Sequence, residues 1–315
     1  MRRYGGGSQS LPEPVANEAT RCGFVAVIGA PNAGKSTLVN ALVGAKVSIV
    51  THKAQTTRTR VRGIAIEGQS QIVLVDTPGI FAPKRRLDRA MVETARAEAR
   101  EADAVVVVID SARGLDDAAD PVMEQAKELT MPLVLALNKV DKVKKDKLLT
   151  LADEASKRLD FKAVFMMSAL SGDGTAELKH YLATVMPPGP WLFPEDQLAD
   201  APLRLWAAEV TREKLFLRLH EEIPYSSTVE TTGWKEFRDG SVRIDQTIFV
   251  ERESQRKIVL GAKGQAIKQI SMEARREISE GIEAPVHLFL FVKVRQNWAE
   301  DPERYREIGL DYPKA

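Results

Sequence analysis

Short apolar runs separated by polar stretches organise the first half of the chain. Phe24 to Ile28, Val73 to Val75, Ala104 to Ile109, Leu133 to Leu137 and Val164 to Met167 are nearly free of polar side chains, as expected for strands buried on both faces of a parallel sheet. Between them lie amphipathic stretches, among them the charged segment Leu87 to Glu101, which reads as a helix. This alternation predicts an α/β unit with helices covering a mostly parallel sheet and ligand loops at the strand ends. Five prolines and a glycine in 187–202 break the pattern and mark a linker.

Beyond the linker the periodicity changes. Pro202 to Glu222 is helix-like, while Thr228 to Phe237 and Ser241 to Glu251 read as a strand pair. Lys257 to Leu260 then leads into Gly261-Ala262-Lys263-Gly264, which opens a helix carrying Ile267, Ile270, Ala274 and Ile278 at helical spacing. Val286, Leu288, Leu290, Val292 and Val294 alternate along a last strand, an α+β pattern overall. Phe289 and Phe291 fall on the other side of that strand, either to stack on bases or to pack under the helices, and packing is the favoured reading.

Length agrees with two units, since 315 residues exceed one ordinary domain. The expected division is a flexible tail at 1–20, an α/β unit at 21–186, the linker at 187–202, the second unit at 203–300 and a C-terminal tail at 301–315. Arg2 and Arg3 hint at a transit peptide, but Glu13, Glu18 and the lack of an amphipathic pattern oppose it. Net charge is +1, so bulk electrostatics name no partner. A single cysteine, Cys22, excludes an internal disulfide framework and agrees with a reducing, cytoplasmic compartment. His52, His180, His220 and His287 show no metal-ligand spacing.

The candidate chemistry begins where the first strand ends. Gly29-Ala30-Pro31-Asn32-Ala33-Gly34-Lys35-Ser36-Thr37 fits G-x-x-x-x-G-K-[ST], a loop whose backbone N–H groups and following helix N-terminus suit a phosphate. Lys35 is expected to reach the β- and γ-phosphates and the Ser36 hydroxyl to take one Mg²⁺ position, whereas Thr37 reads as a helix N-terminal residue. Asp76-Thr77-Pro78-Gly79 follows the second strand, placing a carboxylate to hold Mg²⁺ through water and a glycine N–H to meet the γ-phosphate. Asn138-Lys139-Val140-Asp141 ends another strand. One carboxylate at Asp141 accepts both the N1–H and the N2–H₂ of guanine, a pairing adenine cannot offer. The N–H groups of Ser168-Ala169-Leu170 are candidates for the guanine O6.

These four motifs, in this order, resemble those of the translation-factor-related small GTPases over roughly Gly23 to Met186. Lys53-Ala54-Gln55-Thr56-Thr57-Arg58 is similar to the QTTR switch element of the Era subfamily, although a polar turn is the plain alternative. The resemblance makes Thr57, with Thr56 beside it, the Mg²⁺ ligand of the GTP state. Ile80 stands where Ras-like enzymes carry a water-orienting Gln, so intrinsic hydrolysis is expected to be slow. Related GTPases that share such a hydrophobic replacement use K⁺ near the phosphates, which makes Asn32 the candidate K⁺ ligand and gives Lys35, Thr57, Gly79 and Asn32 the catalytic roles. A loop-shaping role is the alternative for Asn32.

A G-x-x-G loop entering a helix is how a KH module clamps about four single-stranded nucleotides. From Arg252 to Arg276 there are seven basic and two acidic residues, so positive charge gathers at the loop. The IVLGAKGQAIKQI stretch and the run from Leu288 to Trp298 resemble the C-terminal KH domain of Era-family proteins. The fold implied is a P-loop GTPase domain with a mixed, mostly parallel sheet, followed by an α+β type II KH domain. The resemblance further implies GTP and GDP as ligands, binding of the 3′ end of 16S ribosomal RNA, assistance to 30S subunit assembly and, in some members, peripheral contact with the inner membrane. It carries RNA contact onto Gly261, Ala262, Lys263 and Gly264, with Lys257 and Lys268 as neighbours. Nothing in the sequence indicates oligomerisation, and a monomer is expected. The competing classes are a constitutive RNA-binding scaffold with a structural nucleotide site and a metabolic kinase, against which Asp141 argues.

Overall fold

A computed structural model describes residues 19–53, 56–58, 61–81, 83, 85–220, 223–298, 301, 302, 305, 310 and 312. All but the last two residues of the expected N-terminal tail, and Ala54 and Gln55 of the switch element, lie outside the described residues.

The first eleven elements build one sheet with helices on both faces. They are β1 (Arg21–Gly29), α1 (Lys35–Val43), β2 (Val61–Glu67), β3 (Ser70–Asp76), α2 (Arg86–Glu101), β4 (Ala104–Asp110), α3 (Asp120–Lys127), β5 (Leu133–Asn138), α4 (Lys145–Arg158), β6 (Phe161–Met166) and α5 (Thr175–Val185). The strand order is β2-β3-β1-β4-β5-β6, and only β2 runs antiparallel to its neighbour. The apolar runs take the centre because both faces there are covered. Val25, Val27 and Leu74 pack with Leu38, Leu178 and Leu182 on one side, and Ile28, Val105 and Leu135 with Val122, Met123 and Leu151 on the other.

Edge strand β2 has a weaker apolar signature and joins β3 through a two-residue turn in which Gly68 has φ +57°. Its outer edge is closed by the proline-rich segment. Ile64 N–H donates to Leu198 O at 2.9 Å and Asp200 N–H to Arg62 O at 2.9 Å, while the Gln71 side chain accepts from Leu192 and Phe193 N–H and donates to Phe193 O. Residues 187–202 therefore strap an exposed strand edge that would otherwise invite pairing.

The second unit has the order α6 (Leu203–Arg218), β7 (Ser227–Glu236), β8 (Val242–Val250), α7 (Glu253–Leu260), α8 (Gln265–Gly281), β9 (Val286–Val294). β7 pairs antiparallel with β8, and β9 lies parallel on its other side, the type II KH arrangement. Helices cover one face, where Val210, Ala274 and Ile278 meet Ile244 and Leu288. The favoured reading packs Phe289 and Phe291 beneath the helices, and the structure corrects this. They point to the uncovered face and are 45% and 50% exposed, because the aliphatic row of β9 already occupies the helix side.

Of the expected C-terminal tail at 301–315, residues 301, 302, 305, 310 and 312 are described. Trp298, Tyr305 and Leu310 are buried against Leu87, Ala90 and Met91 of α2, and the Tyr305 and Tyr312 rings meet edge-on at 4.9 Å. Arg86 donates to the Tyr312 hydroxyl and lies over its ring. The aromatic residues of this segment were the available signal, since exposed chain ends rarely carry several large rings.

Candidate nucleotide and RNA sites

The phosphate loop is shaped by two glycines with different tasks. A Cβ on Gly29 would stand 2.6 Å from Val108 O, and one on Gly34, whose φ is +101°, would stand 2.2 Å from Asn138 Nδ2. Helix α1 starts at Lys35 with no side-chain cap and no acidic residue in its first turn, so its N–H groups and dipole are available to an anion. Lys35 Nζ donates to Gly29 O at 3.1 Å and to Ala30 O at 3.0 Å. Burial pushes this ammonium down to about 8, against the opposing pull of Asp76.

That shift has a measurable consequence. A lysine held below its unfolded value binds fewer protons when folded, so between pH about 8 and 10.5 folding stability rises with pH. A bound triphosphate favours the ammonium and restores the proton. GTP binding at pH 8.5 is therefore expected to take up protons, seen as a dependence of the calorimetric heat on buffer ionisation enthalpy. No buffer dependence would mean that Lys35 is already fully charged.

Three oxygens gather beside the loop. Ser36 Oγ lies 2.9 Å from Thr57 Oγ1, which in turn lies 3.5 Å from Asp76 Oδ2. Asp76 is fully buried, which raises its carboxyl pKa, with hydrogen bonding from Ser36 and the charge of Lys35 opposing. Its Oδ1 has no hydrogen-bond partner. A buried carboxylate oxygen left unpaired among hydroxyls fits an oxygen-preferring divalent cation that keeps part of its water shell.

The far end of the cleft, whose volume is about 400 Å³, is lined by Asn138, Lys139, Asp141, Ala169 and Leu170. Asn138 acts as a tie, donating to Ala33 O at 2.9 Å and accepting from Lys139 N–H at 2.8 Å and Ala169 N–H at 2.9 Å. Lys139 Nζ bonds Asn32 O and Asp110 Oδ2, both at 2.6 Å. Exposed Asp141 is thereby presented on a braced loop.

Some expected ligands serve otherwise. The Thr77 hydroxyl, 1% exposed, donates to Val27 O at 2.8 Å and braces the strand rather than facing the cleft, and Pro78 is buried beside it. Ser168 N–H meets Asp173 O, and Ala169 N–H is engaged by Asn138, so of the three amides offered to guanine O6 Leu170 is the one outside these bonds. Gly29, Ala30 and Ala33 contribute backbone carbonyls to the bonds above. Pro31, Asn32, Gly34, Lys35, Ser36, Thr37, Thr57 and Gly79 all line the cleft. Ile80 is 2% exposed, packs with Ala26 and Ile28, and donates its N–H to Gly29 O. Its alkyl side chain cannot orient water.

Sequence reasoning missed how tightly the switch segment is held by the KH unit. Arg58, 4% exposed, donates to Ser227 O at 2.9 Å, Tyr225 O at 3.1 Å and Pro224 O at 3.2 Å, with its guanidinium over the Phe216 and Trp298 rings. Burial first, then neighbouring Arg212, lower its pKa, but the three carbonyl acceptors favour the charged form. Arg212 of α6 donates to Thr56 O and pairs with Glu209. Glu213 accepts from Val50 N–H and Lys46. The helix-like reading of Pro202 to Glu222 gave no sign of this, since it does not tell that Arg212, Glu213 and Lys214 are buried.

At the other end of the KH unit, Gly261 has φ +71°, and a Cβ there would stand 2.7 Å from Ala266 Cβ. Gly264, with φ +76°, is the uncapped N-terminus of α8, with open space beside it. Ala262, Lys263, Lys257 and Lys268 are exposed around this loop, so all six expected RNA residues lie on the α7–α8 connection or within a turn of it. The loop is slim and cationic and leaves the start of α8 without a side-chain cap, which suits a sugar-phosphate backbone.

A phosphate loop, a cluster of hydroxyl and carboxylate oxygens beside it and an exposed carboxylate on a braced loop, joined to a KH fold, have the form of a GTPase with an attached RNA-binding module. The 50S ribosome-binding GTPase profile matches residues 24–139, and the KH domain profile matches residues 222–299. GTPase Era of Afipia carboxidovorans is 61% identical over 97% of this chain and 99% of its own length, and GTPase Era of Brucella suis is 63% identical over 93% and 94%. A crystal structure of an Aquifex aeolicus Era variant bound to GDP and AlF₄⁻ superposes with TM-score 0.87 at 39% identity, covering 92% of this chain and 99% of the other. Era in complex with MgGDPNP and nucleotides 1506–1542 of 16S ribosomal RNA superposes equally well, at 39% identity and TM-score 0.87 over the same shares. The chain belongs to the GTPase Era family.

Proposed function

We propose that the protein is a GTP-driven switch that grips single-stranded RNA near the 3′ end of 16S ribosomal RNA and assists assembly of the 30S subunit. The observation that carries this reading is the segment Thr56-Thr57-Arg58. Thr57 faces the metal-binding oxygens, while the residues on either side of it are held by the KH unit. The occupancy of the nucleotide site and the position of the RNA module therefore meet in three consecutive residues. The 16S RNA in the Era complex favours the small subunit as the destination.

Mg²⁺, when bound by Ser36 and Thr57 with Asp76 behind, screens charge on the β- and γ-phosphate oxygens. Lys35 and the N–H groups opening α1 stabilise the charge that builds as water attacks the γ-phosphorus and the bond to the GDP oxygen breaks. Gly79 N–H is a further donor to the γ-phosphate. Ile80 supplies no proton acceptor, so turnover is slow until something else positions the water. Asn32 is the candidate for a K⁺ ligand, since its Nδ2 is already used on His52 O at 3.0 Å, which leaves its Oδ1 as an oxygen donor. Loss of the γ-phosphate releases Thr57 and the segment after Gly79 and, through Thr56 and Arg58 on either side of Thr57, shifts the KH unit.

The protein is proposed to act as a monomer in the cytoplasm. Peripheral contact with the inner membrane is compatible with this, and among the described residues no helix is long and apolar enough to cross one. GTP turnover measured with and without RNA of the 16S 3′ end, in KCl and in NaCl at equal ionic strength, tests the reading. The expected result is stimulation by RNA and a faster rate in KCl. GTP binding without hydrolysis under every condition favours a constitutive scaffold, and equal rates in the two salts remove K⁺ from the mechanism.

A further inference from the structure

Two phenyl rings on the uncovered sheet face have no task in the GTPase cycle or at the G-x-x-G loop. Phe289 and Phe291 sit two residues apart on β9, so they project in the same direction about 7 Å from each other. They are 45% and 50% exposed. The Arg243 guanidinium, from the neighbouring strand β8, lies 4.6 Å from the Phe289 ring centre. Beside this pair is an open groove of about 640 Å³ that includes Phe237, Arg238, Ser241 and His287. Lys235, Arg238, Arg243 and Lys293 stand on or around the face, against Glu230, Asp239 and Asp245, and Arg243 is paired with Asp245.

We infer that this face is a second contact surface for single-stranded RNA, with bases stacking on Phe289 and Phe291 and the phosphates held by Arg243 and its cationic neighbours. The inference rests on the RNA-binding reading above. Apolar rings interleaved with cations on a sheet match a flexible polyanion that carries flat bases, and aromatic side chains on a sheet surface stack two or three bases in other RNA-binding folds. The Arg243 guanidinium extends the platform, because its plane can itself stack. Position supports the same occupant. β9 is the sheet edge, and α7 and α8, which carry the G-x-x-G loop, pack against its other face. A strand of RNA leaving the loop reaches the phenyl rings by rounding that single edge. A loop of this kind clamps only about four nucleotides, so a longer ligand has nucleotides left to place.

The test uses the full chain with the double substitution Phe289→Ala and Phe291→Ala. Both rings are half in solvent, so melting temperature and GTP turnover without RNA should match the parent. Fluorescence anisotropy compares a single strand of about twelve nucleotides from the 16S 3′ end with its own four-nucleotide windows. The parent should bind the longer strand more tightly than any window. The double variant should lose on the order of tenfold or more on the longer strand, the scale of one or two lost stacks, and nothing on the windows. Phe289→Trp with Phe291→Trp should retain the affinity for the longer strand. Unchanged binding of the longer strand by the alanine variant overturns the inference. So does an equal loss on both lengths, which would make the rings a support for the loop, or dimerisation of the parent that the variant abolishes, which would make a second copy the occupant. Failure of the parent to bind any of these strands would instead remove the RNA-binding reading beneath it.

Discussion

Asp141→Asn should convert the protein from a guanine to a xanthine nucleotide binder. The carboxylate offers two acceptors to the N1–H and N2–H₂ of guanine, whereas an amide offers one acceptor and one donor. Against guanine the new NH₂ faces another NH₂, and the loss should be on the order of a thousandfold or more, as for sites that reject a ligand by leaving buried polar groups unpaired. Xanthine carries a carbonyl in place of that amine, so the amide pairs with it. Asp141 is exposed and its loop is braced by Asn138 and Lys139, which means the exchange should leave the fold intact. Calorimetric titration with GTP, XTP and ATP reads the outcome, and parental affinity for GTP in the variant would remove Asp141 from base selection.

Arg58→Ala should uncouple the two units. The substitution strands three buried carbonyls that now share one guanidinium, and each unsatisfied group costs about 1–3 kcal/mol. It also opens a space beside Phe216 and Trp298. A loss of several kcal/mol should appear as a lower denaturation midpoint. The more specific outcome concerns coupling, for the ratio of RNA affinities in the GTP-analogue and GDP states should collapse towards one, because a ligand shifts an equilibrium only through contacts that differ between its states. Arg58→Lys should not rescue it, since a single ammonium cannot span three carbonyls while lying flat on two rings. An unaltered ratio would place the coupling elsewhere, with Arg212 on Thr56 as the next contact to remove.

The parts of this molecule legible from sequence are those where chemistry demands particular residue types at fixed spacing. Gly34, Lys35, Ser36, Asp76 and Asp141 stand out as candidates because phosphate, metal and guanine each accept few alternatives, and the central strands stand out because burial on both faces leaves continuous apolar runs. What a motif leaves unsaid shares a cause as well. The Asn138 side chain knots three loops together and the Thr77 hydroxyl braces a strand, because a motif records that a residue is required without saying what it touches. Arg58 and Arg212 carry no pattern that reveals their carbonyl acceptors Ser227 and Thr56, since these lie more than 150 positions away. Phe289 obeys the alternation of β9, yet alternation cannot say which face the helices will cover.

Tyr305 and Leu310 come to rest on α2, some two hundred positions earlier in the chain. The apolar strip of Leu87, Ala90 and Met91 on that helix is therefore covered by residues that follow the KH unit. The α/β unit does not finish its own surface, and a cut made between the two units would leave that strip bare.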